Sequence, residues 1–249
     1  SGDITSISDY GITVFSGDLT MTAETGGITQ TSGDYIRSQD GSLTLSAGSG
    51  DITASGYIRG NDSVTLNASG GITAGNFIRA NTGSITLSAE SGDITASGYI
   101  RGHEGVMVNA SGGITAGDYI RANNGSLTLT AESGDIAASG YIFGSEDVTL
   151  NASGGITASG DYIKSINGSL TLSAESGDIV ASGGIVAGST ATFAAAGDVT
   201  VTGGIATGAW GYFGSLESHN SGQSGDLTVT SKSGDITSIS DYGITVFSG

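Results

Sequence analysis

A tandem repeat of 42 residues constrains this chain more than any other feature of its sequence. The segment GDITASGYIRGNDSVTLNASGGITAGNFIRANTGSITLSAES (residues 50–91) returns as GDITASGYIRGHEGVMVNASGGITAGDYIRANNGSLTLTAES (residues 92–133), and again from Gly134. Each copy holds a weaker half-copy, because GDIT at Ile52 is matched by GGIT at Ile72. Repeats of about 20 to 50 residues are typical of stacked architectures. We therefore expect each short unit to stack on the next.

The apolar residue of the GD/GG-I-T motif marks the start of each unit. It occurs at Ile4, Ile28, Ile52, Ile72, Ile94, Ile114, Ile136, Ile156, Ile179, Val199 and Ile236. Successive positions lie 20 to 24 residues apart, except for a last step of 37 residues. Each unit contains three short apolar/polar alternations between Gly, Ser, Asn and Asp residues, which is the period of strands separated by turns. The sequence predicts an all-β fold: a right-handed three-sided parallel β-helix (β-solenoid) with about 20–24 residues per turn and ten turns per 232-residue block.

Glycine and proline usage fits a chain that turns often and stays in a hydrogen-bonded ladder. There are 45 Gly and no Pro among 249 residues, and Pro would remove a ladder donor. A Gly-rich disordered chain is the competing prediction, but the regular spacing of Ile, Leu and Val favours the folded coil. We expect residues 1–249 to form a single continuous β-solenoid segment.

The first and last seventeen residues are the same sequence. Residues 1–17 and residues 233–249 both read SGDITSISDYGITVFSG. We interpret residues 233–249 as the start of the next sequence repeat, stacked as an eleventh turn. The natural parent would then be a very long polypeptide of such blocks, or a filament in which blocks stack end to end.

The second strand of each unit carries the candidate contact residues. With Ile58 and its equivalents pointing inward, the flanking side chains point outward and form an aromatic and a basic column. We call this surface the Tyr/Arg face. It comprises Tyr35, Arg37, Tyr57, Arg59, Phe77, Arg79, Tyr99, Arg101, Tyr119, Arg121, Tyr141, Tyr162 and Lys164.

Two interpretations of the Tyr/Arg face remain open. The basic column holds six of the seven Lys and Arg residues, and stacked cations repel one another. Corner acids such as Asp40, Asp62 and Glu104, or stacking on the aromatic column, could compensate that repulsion. One interpretation is a stabilising aromatic ladder with solvated Arg. The other is a contact surface for another rod, a glycan or an anionic polymer, since Tyr and Arg commonly anchor interfaces.

Charge and cysteine content restrict partners and cofactors. The formal net charge is −17, which argues against a nucleic-acid partner. Asp alternates with Gly before the first strand, as in Asp3, Gly27, Asp51 and Gly71; the spacing suits solubility and corner geometry, with calcium as the alternative. We expect no cofactor, with calcium left possible. There are no Cys residues to form disulfides, and we expect no membrane span.

The third strand and one late insertion supply two further candidates. The outward pairs of the third strand, such as Thr44 with Ser46 and Thr86 with Ser88, resemble the flat Thr-rich faces of ice-binding β-solenoids; Thr is also a good strand residue.

Residues 207–224 are interpreted as an inserted aromatic loop. Its candidate contact residues are Trp210, Tyr212 and Phe213, which either fold over the rod or contact a sugar or partner.

The sequence gives little support for an enzyme. A catalytic site needs unlike groups that converge at one place, whereas most titratable residues here repeat up a column. We expect no enzymatic activity, with a polysaccharide lyase of the β-helix type as a remote alternative.

The GDITASG/GGITAG and GSLTLSAESGDI phrases resemble the repeats of filamentous-haemagglutinin-like and autotransporter-type adhesins of bacteria. The resemblance implies a secreted right-handed parallel β-helix of about 20 residues per turn, without a common set of catalytic residues. We therefore expect a structural extracellular or cell-surface protein, a fibre or adhesin shaft whose partner is a further copy of itself. A glycan-binding or ice-binding module is the alternative, with polysaccharide as the possible ligand.

Overall fold

Three parallel β-sheets wind around one common core in this protein. A computed structural model describes residues 2–7, 9–32, 35–210, 219–220, 226–239 and 244–246. In these ranges every regular element is a β-strand, and each sheet pairs a strand with its equivalent one turn later. The predicted three-sided parallel β-solenoid is thereby confirmed, and about ten turns at roughly 4.8 Å each give a rod about 48 Å long.

Sheet 1 is built from the GD/GG-I-T motifs. Its eleven strands are Ile4–Ser6, Ile28–Gln30, Ile52–Ala54, Ile72–Ala74, Ile94–Ala96, Ile114–Ala116, Ile136–Ala138, Ile156–Ala158, Ile179–Ala181, Val199–Val201 and Ile236–Ser238. The register places each predicted motif residue opposite the next one, from Ile4 with Ile28 to Val199 with Ile236. The 20-residue and 24-residue units share this register, so their length differences are absorbed in the corners.

Sheet 2 is built from the YIR motifs. Its eleven strands are Ile12–Val14, Tyr35–Ser38, Tyr57–Gly60, Ile78–Ala80, Ile100–Gly102, Ile120–Ala122, Ile142–Gly144, Ile163–Ser165, Ile185–Ala187, Ile205–Thr207 and Ile244–Val246. Ile58 pairs with Ile36 and Ile78, and all three are fully buried. The central Ile therefore points inward, which leaves its two sequence neighbours on the outer surface.

Sheet 3 is built from the SVTLNA-type motifs. Its ten strands are Leu19–Ala23, Leu43–Ala47, Val64–Ala68, Ile85–Ala89, Val106–Ala110, Leu127–Ala131, Val148–Ala152, Leu170–Ala174, Ala191–Ala195 and Leu227–Ser231. Three residues of each strand face the core, as Val64, Leu66 and Ala68 do. The longer strands of this sheet thus supply the widest side of the core, where Phe193 is fully buried.

The corner between sheet 3 and sheet 1 is held by a repeated carboxylate contact. Asp51 Oδ1 accepts a hydrogen bond from the backbone N–H of Gly71 on the next turn at 2.7 Å. A Cβ atom on Gly70 would lie 2.0 Å from that same oxygen. The contact recurs between Gly113 and Asp93 at 2.7 Å and between Gly155 and Asp135 at 2.6 Å. The first glycine of each GG pair follows from this contact, because a side chain there would overlap the Asp beneath it. The second position supplies only its N–H, and Asp198 fills that place above Asp178.

The chain between Thr207 and Leu227 connects sheet 2 to sheet 3. Within it, Ala209–Trp210 pairs in antiparallel fashion with His219–Asn220. Trp210 lies opposite His219 in this pair, while Tyr212 and Phe213 lie outside the described residues. The interpretation of residues 207–224 as an inserted aromatic loop stays a prediction.

Candidate interaction surface

The Tyr/Arg face lies on sheet 2, with its two columns in register. Arg59 pairs with Arg37 on one side and Arg79 on the other, and the column continues through Arg101 to Arg121. Phe143 takes the next place and Lys164 follows it. The residues of the face named from the sequence are all half-buried. The pattern of alternation was sufficient to place them, because an inward Ile fixes the direction of both its neighbours.

The aromatic column is a continuous stack of rings. The six successive centroid distances from Tyr35 to Tyr162 are 5.1, 4.6, 4.8, 4.8, 4.8 and 5.0 Å. The planes of Tyr119 and Tyr141 are parallel, with an interplanar angle of 0°. Each inner ring therefore covers the faces of its neighbours and presents its edge outward. A sugar that stacks on a ring needs a free ring face, so this geometry favours a ladder over a stacking platform for sugars.

The basic column is only partly compensated within the chain. The Arg37 guanidinium lies 4.8 Å from the Tyr35 ring centroid, and the Arg121 guanidinium lies 4.8 Å from that of Phe143. Arg121 Nη1 also donates to the Tyr141 hydroxyl at 3.4 Å. Within the described part of the chain, no guanidinium of Arg37 to Arg121 forms an ion pair with a carboxylate. Asp40, Asp62 and Glu104 therefore form no ion pair with the basic column, and its contacts within the described residues are with aromatic side chains.

Alternate arginines share one environment. The Nε atoms of Arg37, Arg79 and Arg121 are buried and have no hydrogen-bond partner. These three residues recur at every second turn, the period of the 42-residue repeat. Their stems are thus packed against neighbours, which leaves the terminal nitrogens as the donors available to a partner.

Two groups on this face have shifted pKa values. Burial raises the pKa of the Tyr119 hydroxyl above its ordinary value; Tyr99 and Tyr141 raise it further, Arg101 lowers it, and Asp118 raises it. Burial lowers the pKa of the Lys164 ammonium. Both shifts follow from the partial removal of water around the columns.

We expect alkaline pH to weaken the aromatic ladder through Tyr119. Because the pKa of Tyr119 is raised in the folded state, its contribution to stability is complete below the unfolded pKa of about 10. It is lost as pH rises through the folded pKa. A pH titration followed by the ultraviolet absorbance of tyrosinate checks this. Tyr119→Phe should remove, from the titration curve of the folded chain, a component whose pKa is higher than that of tyrosine in the urea-unfolded chain. Phe77 shows that the ladder accepts Phe. Loss of a component with the ordinary pKa would contradict the expectation.

The Asp-bearing corner expected from the sequence lies on the opposite side of the rod from the Tyr/Arg face, and glutamates join the Asp residues there. Where sheet 3 passes into sheet 1, six carboxylates lie in three pairs. This acidic corner comprises Glu90, Asp93, Glu132, Asp135, Glu175 and Asp178, all exposed. The Glu and Asp residues of this corner belong to the repeated AESGD phrase. The sequence shows that these carboxylates recur, but their position opposite the Tyr/Arg face depends on which corner the phrase occupies.

A surface depression adjoins the acidic corner. Its volume is about 280 Å³, and its polar lining comes from Thr130, Glu132, Asn151, Ser153, Ser173 and Glu175. Ser111 Oγ donates to Glu132 Oε2 at 3.1 Å. Over the same described ranges there is no cluster of three or more His, Asp or Glu residues suited to a metal ion.

The outer face of sheet 3 has its polar residues in register. Thr65 lies opposite Thr44 and Thr86, and Asn67 lies opposite Ser46 and Ser88. Met107 interrupts the Thr column and is 48 % exposed. The outer face of sheet 3 is therefore irregular, and ice binding by this face stays a prediction.

Among the residues that the structure describes, no helix is long and apolar enough to cross a membrane.

Comparison with known families gives two matches. A model described as haemagglutinin repeat matches residues 78–131, 120–165 and 163–209, and a model described as repeats of unknown function matches residues 2–55. Neither the curated proteins nor the solved structures give a match. The three haemagglutinin-repeat matches together span residues 78–209, more than half of the 249 residues. With its three-sided β-solenoid and in-register columns, the chain belongs to the haemagglutinin repeat family.

Proposed function

We propose that this chain is a shaft segment of a secreted or cell-surface adhesin-type fibre, with a structural and not a catalytic role. Haemagglutinin repeats are typical of secreted or cell-surface proteins, and the family is of the non-enzymatic adhesin type. The shaft associates laterally with other copies through the Tyr/Arg face and end to end through the edge strands of its sheets. The observation that carries this proposal is the column of arginines without ion pairs on sheet 2.

The coil itself does not require these arginines. Folding needs the inward Ile at position 58 and its equivalents, and ordinary β-branched residues would serve at the outward positions. Cations at successive rungs, about 4.8 Å apart, repel one another. A partner that supplies negative charge along the rod would relieve this repulsion, so lateral association accounts for a feature that the fold leaves unexplained.

Length amplifies weak contacts on such a face. An exposed ion pair contributes only about 0 to 1 kcal/mol. Contacts repeated up one rigid rod act together, however, because the first contact raises the effective concentration of the others. Lateral association of rods should therefore rise steeply with the number of turns that carry an arginine.

The test is to replace Arg59, Arg79, Arg101 and Arg121 by Gln. The coil should stay folded by circular dichroism, while sedimentation velocity should show lateral association at least about tenfold weaker, which corresponds to about 1.4 kcal/mol. Salt should weaken association of the parent and hardly affect the variant, since ions screen exposed charges.

Lys substitution at the same four positions is the matched control. It keeps the charges while removing the planar guanidinium, so association should remain sensitive to salt. If the Gln variant associates as well as the parent at low salt, the Arg column does not form the interface.

A second candidate is a polyanionic glycan lying along the rod axis, because the same column of unpaired arginines fits a linear array of negative charge. Addition of a sulfated polysaccharide at low salt separates the candidates. If the parent binds it but does not associate without it, the glycan-binding function holds and lateral self-association fails.

A further inference from the structure

We propose that the Tyr/Arg face of one copy receives the acidic corner of a second copy, so that rods pack side by side in one repeating orientation. This inference rests on the proposed lateral association and adds the identity of the partner surface. It is carried by three observations: the opposite placement of the two charged surfaces, their matched spacing along the rod, and the depression between two of the glutamates.

The two surfaces lie on opposite sides of each rod. In a three-sided coil the corner between sheets 3 and 1 is opposite the face of sheet 2. The glutamates of the acidic corner and the arginines of the Tyr/Arg face are thus separated by the core, and no ion pair joins them in the described part of the chain. Each rod has a positive face and a negative edge that cannot neutralise each other. A second copy brings them together.

The charges on the two surfaces share one period. Carboxylate pairs occur at Glu90 with Asp93, Glu132 with Asp135, and Glu175 with Asp178. Successive pairs are two turns apart, or about 9.6 Å along the axis. The same two turns carry two arginines, because every turn from Arg37 to Arg121 has one. Two cations therefore meet two carboxylates per repeat over the five turns from Arg37 to Arg121.

The depression offers a seat for an arginine side chain. It lies between Glu132 and Glu175, which are two turns apart, and its other polar groups include the Ser153 and Ser173 hydroxyls. Its volume of about 280 Å³ is many times that of one water molecule, about 30 Å³. An Arg side chain has five N–H donors and no acceptor. A seat lined by carboxylate and hydroxyl oxygens satisfies those donors.

The geometry of this contact determines the form of the assembly. A contact between two different surfaces is heterologous, and it leaves one free copy of each surface on every assembly. Because the face and the corner lie on opposite sides of the rod, the contact does not close into a dimer. We infer a growing layer of rods that lie side by side.

The experiment exchanges the charges on the full chain. One variant reverses the face (R59E, R79E, R101E and R121E), and a second reverses the corner (E90K, E132K and E175K). In the first, face and corner are both acidic; in the second, the corner carries three Lys beside Asp93, Asp135 and Asp178, so it has no net negative charge to attract the basic face. Each variant alone should associate at least about tenfold less than the parent in sedimentation velocity. An equimolar mixture should return to within about threefold of the parent, because each variant then supplies the complement of the other.

A neutral variant and a matched control complete the design. Glu90→Gln with Glu132→Gln and Glu175→Gln should weaken association. The control changes Asp62→Asn, Glu104→Gln and Glu146→Gln at the corner between sheets 2 and 3; it also removes three carboxylates but should leave association unchanged. Circular dichroism confirms that each variant remains folded, and the neutral variant decides the question if a charge-reversed chain does not fold.

The outcomes separate this inference from the proposed function. If the neutral corner variant associates like the parent, or the mixture stays unassembled, the acidic corner is not the partner. If the Arg→Gln variant still loses association in that case, the Tyr/Arg face remains the contact and a polyanion or another surface is its occupant. If the Arg→Gln variant also associates normally, the proposed lateral function itself is wrong.

Discussion

Replacing Val108 by Asp should lower the free energy of unfolding by about 4–5 kcal/mol or more. Val108 is fully buried in sheet 3, between Leu87 on one turn and Leu129 on the next. A carboxylate there has no partner and must either lose its charge or pull the strand out of the ladder. Because each turn contacts mainly its two neighbours, the defect should divide the rod into two shorter segments. Urea unfolding followed by circular dichroism measures the loss.

Met107 provides the matched control for this substitution. It precedes Val108 on the same strand, points to the outer surface and is 48 % exposed. Met107→Asp should change stability by no more than about 0.5 kcal/mol, as is usual for surface substitutions. Equal losses for the two variants would mean that the strand does not alternate between core and solvent as described.

Proline at the first turn should suppress end-to-end association of rods. Ile4–Ser6 and Leu19–Ala23 are edge strands of sheets 1 and 3. The N–H groups of Ile4 and Leu19 donate to Gly27 and Ser42 of the next turn. The alternation of a parallel ladder therefore directs the N–H groups of Thr5 and Thr20 to the open side. Open edges recruit further strands, so rods that carry Thr5→Pro and Thr20→Pro should be shorter than those of the parent.

Valine at the same two positions is the control for edge pairing. Thr5→Val and Thr20→Val keep the donors and a β-branched side chain, and the rods should reach the parent's length. Rod length is read by electron microscopy at several protein concentrations. Rods of the Pro variant as long as those of the parent would show that these edges do not join copies.

The seventeen-residue sequence that occurs at residues 1–17 and again at residues 233–249 pairs with a different neighbouring turn in each copy. In the first copy, Ile4 and Ile12 pair with Ile28 and Ile36 on the following turn. In the second, Ile236 and Ile244 pair with Val199 and Ile205 on the preceding turn. One sequence thus accepts a neighbour on either side, which supports the proposal that blocks continue one another along the axis.

The inward columns could be predicted from the sequence because the same short alternation returns in every turn. Ile52 and Ile72 lie 20 residues apart and Ile28 and Ile52 lie 24 apart, yet all three fall in one register. The apolar residue fixes which face is buried, and a slip by one residue would expose the whole set. Unequal unit lengths therefore did not disturb the prediction.

Contacts between turns were harder to predict. The partner of Asp51 is the backbone N–H of Gly71, and a backbone donor leaves no mark in the sequence. Likewise, two sources of compensation for the arginines were left open, the corner acids and stacking on the aromatic column; Asp62 and Glu104 form no ion pair with Arg59 or Arg101 in the described ranges. The partners that a corner side chain reaches depend on the corner geometry, which the alternation of apolar and polar residues does not specify.

Electron cryomicroscopy of parent rods at low salt shows which surfaces of neighbouring rods meet. We expect rods that lie side by side with sheet 2 of each against the corner between sheets 3 and 1 of the next, and a rise of about 4.8 Å per turn. Rods that remain separate at low salt, or that meet through the outer face of sheet 3, would contradict this expectation.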